Sequence, residues 1–280
     1  MKIKELLKAS TLKLNQAEIP TSSLDARLLL QHAANVSIET IYLYPEQLIS
    51  DNDIIRYENF LARRINNEPV AKIIGRKSFW KDDFIVNQHT LDPRPDSEVI
   101  IQASLDLLPH KENKLKFLDL GSGSGCLSLS LLREFPNAIG VASDISLDAL
   151  KIVSLNAQQL NLKERIILIN NNWTDAVDHK FDLIVSNPPY IPTNDITNLA
   201  EEVKNYDPIL ALDGGEDGLN PYRHLAQKIS YLLKPGACAI LEFGYDQGKA
   251  VKEIFIQHNY IVKKMLFDLN NIERAIIVSV

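Results

Sequence analysis

Residues 116–126 read Lys-Phe-Leu-Asp-Leu-Gly-Ser-Gly-Ser-Gly-Cys. A short apolar run of strand formers ends in glycines at 121, 123 and 125, and a helical pattern over 127–134 follows at once. A strand that turns this sharply into a helix, with no Cβ in the bend, suits the first crossover of a parallel sheet. The downstream pattern agrees. Strand-like runs at 138–142, 166–169, 181–185 and 237–243 alternate with helical stretches at 147–160, 222–233 and 249–257, and apolar runs at 261–267 and 274–280 close the sequence. A further helix is expected at 99–108, before the glycine turn. Alternation of this kind predicts an α/β fold with a mostly parallel sheet covered on both faces.

The upstream part is different. Residues 1–72 carry helical stripes broken by polar turns and no strand signal, so a small helical domain is expected there. Ser50 with Asp53 resembles a capping box with Asp in place of Glu. Residues 73–95 predict a β-hairpin linker, with Phe79-Trp80 and Phe84-Ile85-Val86 around a polar turn and two prolines fixing Arg94 in extended backbone. Residues 96–280 make the α/β domain. Net charge is −6 overall, and residues 1–72 hold nine basic and nine acidic residues, which speaks against a phosphate-backbone grip. Cys126 and Cys238 lack zinc spacing and read as reduced core thiols. No run is apolar enough for a signal peptide or a membrane span, so a cytoplasmic protein without a membrane partner or a metal is expected.

The turn, Gly121-Ser122-Gly123-Ser124-Gly125, stands where a doubly wound sheet binds a nucleotide-like ligand. Asp144 ends the next strand run, where a carboxylate accepts ribose hydroxyls. Cys126 occupies the place of the third glycine of a dinucleotide loop, which disfavours a nicotinamide oxidoreductase. The G-x-G-x-G spacing is that of S-adenosylmethionine sites. Asp119, at the strand end, is placed either to hold that ligand's amino group or to bond nearby backbone.

The second feature is Ser186-Asn187-Pro188-Pro189-Tyr190-Ile191-Pro192, directly after the 181–185 strand. Prolines fix φ and remove two backbone donors. The Asn187 side-chain oxygen and the Pro188 carbonyl can then grip the two hydrogens of a planar NH₂ and aim its nitrogen at a methyl carbon, with Tyr190 packing on the flat group. An amide side chain is not basic, so Asn187 orients and stabilises charge. This slot takes the amide of glutamine or asparagine as readily as the amine of adenine or cytosine.

These motifs, in order and spacing, resemble the release factor glutamine N5-methyltransferases, the PrmC or HemK family. The likeness also takes in 68–75, Ser78-Phe79-Trp80, 93–98, Asn172-Trp173, Asp217-Gly218-Leu219 and Leu241-Glu242-Phe243-Gly244 with Gln247. It implies a Rossmann-like class I S-adenosylmethionine-dependent methyltransferase domain beside a helical substrate-recognition domain. The implied substrate is the Gly-Gly-Gln glutamine of class 1 peptide chain release factors. By the same likeness Gly121 to Gly125 cradle the methionine part, Asp144 binds ribose, Trp173 lies beside adenine with Asn172 at its edge, and Asn187 touches both cofactor and glutamine. Pro188, Pro189 and Tyr190 complete the substrate slot, and Arg94 braces that side. Asn172 stands where the family usually has Asp, and Asp207-Pro208 where it has Glu-Pro. The main competitor is a nucleic-acid adenine methyltransferase. It needs a basic target-recognition domain and base flipping, and the neutral 1–72 segment offers neither.

Overall fold

The computed structural model describes residues 1–268 and 270–280. The chain divides into two units, 1–76 with 200–206, and 77–199 with 207–280. The first unit contains α1 (Ile3–Gln16), α2 (Ser22–Ala34), α3 (Ile38–Leu43), α4 (Asp51–Ile65), α5 (Val70–Ile74) and the later short helix α9 (Glu201–Lys204). α1 is continuous where its apolar stripe looks broken. Ser10 faces the core, and its hydroxyl lies 2.6 Å from the Leu6 carbonyl and 2.6 Å from the Tyr57 hydroxyl. A buried polar group satisfied in this way does not interrupt a helix. α4 begins as its sequence suggests, with Ser50 Oγ accepting from the Asp53 amide and donating to Asp53 Oδ2. The core of this unit gathers Leu14, Leu29, Leu30, Tyr57 and Leu61, and Arg64 Nε donates to Asp25 Oδ2 at 2.7 Å with both side chains buried.

The second unit opens with a hairpin, β1 (Arg76–Phe79) and β2 (Asp82–Ile85), then a 3₁₀ turn (Pro95–Ser97) and α6 (Glu98–Leu107). Arg76, the first residue of β1, falls by the division above at the end of the first unit. The main sheet follows: β3 (Lys116–Leu120), α7 (Cys126–Glu134), β4 (Ile139–Asp144), α8 (Leu147–Gln159), β5 (Ile166–Asn170), β6 (Phe181–Ser186), α10 (Asn220–Leu232), β7 (Leu233–Glu242), α11 (Gly248–Gln257), β8 (Ile261–Phe267) and β9 (Glu273–Ser279). Its seven strands lie in the order β5-β4-β3-β6-β7-β9-β8. The first five are parallel, and β9 runs antiparallel to both β7 and β8. The order reverses at the β3–β6 pair, and ligands bind in such sheets beyond the carboxyl ends of strands at that reversal.

Most elements sit within a residue or two of their sequence periodicity. β7 is the exception, starting at Leu233 rather than 237. Phe181 pairs with Leu233 and Leu183 with Cys238, so Pro235 and Gly236 bulge out of a strand that the sequence reads as interrupted. Apolar cores cover both faces of the sheet. One gathers around Phe117, Leu131, Phe135 and Ile240, the other around Leu118, Ile184, Tyr222 and Phe243. No helix of the described residues is long and apolar enough to cross a membrane.

Candidate functional site

β3 ends in Asp119-Leu120, and the chain then turns over Gly121, Gly123 and Gly125, whose φ angles are +71°, +53° and +79°. These left-handed values favour glycine. At Gly125 a side chain has no room either, because a Cβ would stand 2.9 Å from Val153 Cγ1. The Gly121 and Ser122 amides donate to the Ser143 carbonyl at 2.9 and 3.1 Å, tying the turn to the end of β4. Asp144 closes the same turn. Its Oδ2 accepts from the Gly123 amide at 2.8 Å and its Oδ1 from the Ser146 amide at 2.9 Å. A carboxylate oxygen has two lone pairs, so both atoms still have room for a hydroxyl. Burial holds the Asp144 pKa above its ordinary value.

Asp119 lies beneath the turn. Its Oδ2 accepts from the Ser128 amide at 3.2 Å, while Oδ1 is buried without a partner. Burial pushes the carboxyl up to about 7, with hydrogen bonds from Ser128 opposing. An orphaned buried acceptor under a glycine cradle fits a ligand that brings a cation. Trp173 comes over the turn from the other side. A Cβ on Gly121 would lie 3.7 Å from the indole. The loop that delivers it is held by the Asn171 side chain, whose Nδ2 donates to the Trp173 carbonyl at 3.0 Å and whose Oδ1 accepts from the Ala176 amide at 3.1 Å.

β6 delivers Asn187 beside this turn, because Leu120 and Ser186 are paired neighbours in the sheet. The Ser186 hydroxyl also donates to the Leu120 carbonyl at 2.7 Å. Asn187 Nδ2 donates to Ser97 Oγ at 3.0 Å. One cavity of about 810 Å³ takes in Gly121 to Ser124, Asp144, Asn172, Trp173, Asn187 and Pro189. That volume lies within the range for small-molecule and cofactor sites. Gly125, Pro188 and Tyr190 do not line it: Gly125 is the N-cap of α7, Pro188 is buried, and Tyr190 packs partly buried against the core behind the loop.

Ile191, just past the slot, is hydrogen-bonded to the 212–214 segment. The Ile191 amide donates to the Leu212 carbonyl at 3.0 Å and its carbonyl accepts from the Gly214 amide at 2.8 Å. The Tyr190 carbonyl accepts from Gln247 Nε2 at 2.8 Å. Arg94, on the cavity wall, pairs with the buried Asp207 at 2.8 Å. Sequence reasoning assigned no task to Ser97, Glu242 or His224. His224 lines the cavity with a buried, unpartnered Nε2. Glu242 had one available signal, an acid ending a parallel strand next to the one that carries Asn187. Among the described residues no group of three His, Cys, Asp or Glu side chains is placed to hold a metal.

The strand order, the glycine turn after the sheet's central strand and the Asn-Pro-Pro-Tyr loop on its neighbour define a class I methyltransferase fold. A solved methyltransferase from Pyrococcus furiosus shares that fold, with a TM-score of 0.53 at 21% identity over 79% of this chain and 98% of that one. The PrmC N-terminal domain matches residues 5–75, and the methyltransferase small domain matches residues 98–206. A release factor glutamine methyltransferase of Caulobacter vibrioides is 42% identical over 266 residues, 95% of this chain and 92% of that protein. The chain belongs to the release factor glutamine methyltransferase family. A bifunctional methyltransferase of Rickettsia prowazekii is 40% identical over 295 residues, and the chain spans 99% of its own length but only 57% of that relative's.

Proposed function

We propose that the chain transfers a methyl group from S-adenosylmethionine to the side-chain amide nitrogen of the Gly-Gly-Gln glutamine in class 1 peptide chain release factors, in the cytoplasm. The observation that carries the reading is one cavity that joins a glycine cradle with a buried acid beneath it to an asparagine after a parallel neighbouring strand. The names of relatives such as the Caulobacter protein favour a protein glutamine over a nucleic-acid amine. The even charge of residues 1–72 points the same way.

In this reading Gly121 to Gly125 hold the methionine part, Asp119 faces its amino group and Asp144 the ribose, with Trp173 and Asn172 at the adenine. S-adenosylmethionine would supply a methyl carbon that takes the nitrogen's lone pair in line while its bond to the sulfonium breaks and the sulfur keeps that pair as a neutral thioether. Asn187 Oδ1 and the Pro188 carbonyl accept the two hydrogens of the glutamine NH₂ and fix the direction of its nitrogen. Asn187 stabilises the positive charge that develops there, and the proton leaves to solvent once the nitrogen is cationic. Pro189 lines the slot around that amide, Tyr190 supports the loop from behind, and the helical unit grips the release factor away from the reacting loop. Mass spectrometry of a purified release factor after incubation tests this: one added methyl on the Gly-Gly-Gln glutamine is expected. Label found on duplex DNA or RNA and not on the release factor would overturn it.

A further inference from the structure

Glu242 is buried at the carboxyl end of β7. Parallel pairing sets Ser186 against Leu241, so the next residues along, Asn187 and Glu242, are lateral neighbours. Glu242 Oε2 is buried without a hydrogen-bond partner. Burial pushes the carboxyl up to about 7, and hydrogen bonding from the Ser97 hydroxyl and, more weakly, the Asn187 amide favours its charged form. Ser97 links the two: it accepts from Asn187 Nδ2 at 3.0 Å, which leaves its single hydrogen to donate elsewhere. A carboxylate only accepts, so it suits that hydrogen and a nearby Nδ2 hydrogen alike.

An asparagine amide turned by half a revolution exchanges O and N with almost no change of shape. Turned the wrong way, Asn187 would point donors at a substrate NH₂ that also donates. We propose that Glu242 is a positioning residue: together with Ser97 it forms an accepting floor that draws the Asn187 NH₂ inward and turns Oδ1 toward the cavity. This rests on the reading that Asn187 accepts from a substrate NH₂. A negative charge behind the amide NH₂ also pushes electron density toward Oδ1, the atom that faces the developing cation. The charged and titratable groups around Glu242 are Asp96 from the 3₁₀ turn, Arg274 on β9, Tyr190 on the slot loop, Tyr222 on α10 and Cys126 on α7.

The test uses the full chain and Glu242→Gln, which keeps the shape but can donate. In ¹⁵N spectra the Asn187 side-chain NH₂ signal, assigned by its loss in Asn187→Ala, is expected to move with pH as the carboxyl titrates and to stand still in Glu242→Gln. Turnover on a release factor should drop about 10- to 100-fold. S-adenosylmethionine affinity should stay within about threefold, since the interaction serves the acceptor side. An Asn187 signal with the same pH dependence in the variant, or unchanged kcat, overturns the proposal. Should Glu242→Gln fail to fold, Ser97→Ala carries the test, with loss of kcat and an altered Asn187 signal expected, and with both unchanged overturning it. If the wild-type chain methylates no release factor, the functional reading falls, while the Asn187 signal still decides whether Glu242 sets that amide.

Discussion

Asp119→Asn tests the buried acid under the glycine turn. The substitution keeps an oxygen for the Ser128 amide and removes the charge. Burial lifts the Asp119 pKa from 3.8 to about 7. An acid whose folded pKa exceeds its unfolded value binds its proton more firmly in the native chain, so the stability it contributes falls as pH rises from the unfolded towards the folded value. Three units correspond to on the order of 4 kcal/mol. The stability of Asp119→Asn minus that of wild type should therefore be lowest near pH 4, grow through pH 5 and 6, and level off above about pH 7. Urea unfolding at four pH values without ligand measures this gap, and Glu242 cancels because both proteins contain it. Calorimetry with S-adenosylmethionine gives the other half. Loss of a charge-assisted partner for the amino group should weaken binding about 10- to 100-fold. A gap that stays flat from pH 5 to 8 would refute the buried, proton-holding acid, and unchanged affinity would refute its role toward the ligand.

Other substitutions separate the parts. Gly125→Ala places a Cβ 2.9 Å from Val153 Cγ1 at φ +79° and should cost about 1–3 kcal/mol in denaturant unfolding. No loss would mean that the turn has another conformation. Asn187→Ala should abolish methyl transfer, with cofactor affinity by calorimetry only modestly lower, and retained turnover would count against the slot chemistry. Arg64→Met leaves Asp25 buried without its 2.7 Å ion pair and should cost about 3–5 kcal/mol. Chemical denaturation of the full chain, followed by a probe in the helical unit, checks that figure.

The parts legible in the sequence are those whose cause is local. Glycines at 121, 123 and 125 announce left-handed backbone, and strand and helix periods mark β3 to β6 and α7, α8 and α10 to within a residue or two. α3 and α5, at six and five residues, are too short to show a period. The bulge at Pro235-Gly236 looks like a strand end until Leu233 is seen to pair with Phe181. The residues that reasoning from motifs left without a task, Ser97 and Glu242, meet Asn187 through a tertiary hydrogen bond and a strand register. Neither leaves a trace in local spacing. The same holds for the pinning of Ile191, whose partners lie about twenty residues downstream.

The glycine turn and Asn187 follow β3 and β6, which lie side by side with two strands on one flank and three on the other. Local opening in a sheet begins at its margins and reaches interior strands only when the whole unit lets go. Amide exchange should therefore be fast at the outer strands β5 and β8 and slowest where β3 meets β6. The two halves of the site then lose their alignment only together with the fold that carries them. Heating should leave the cofactor site assembled until the α/β unit unfolds, with loss of S-adenosylmethionine binding and loss of that unit's structure at the same temperature.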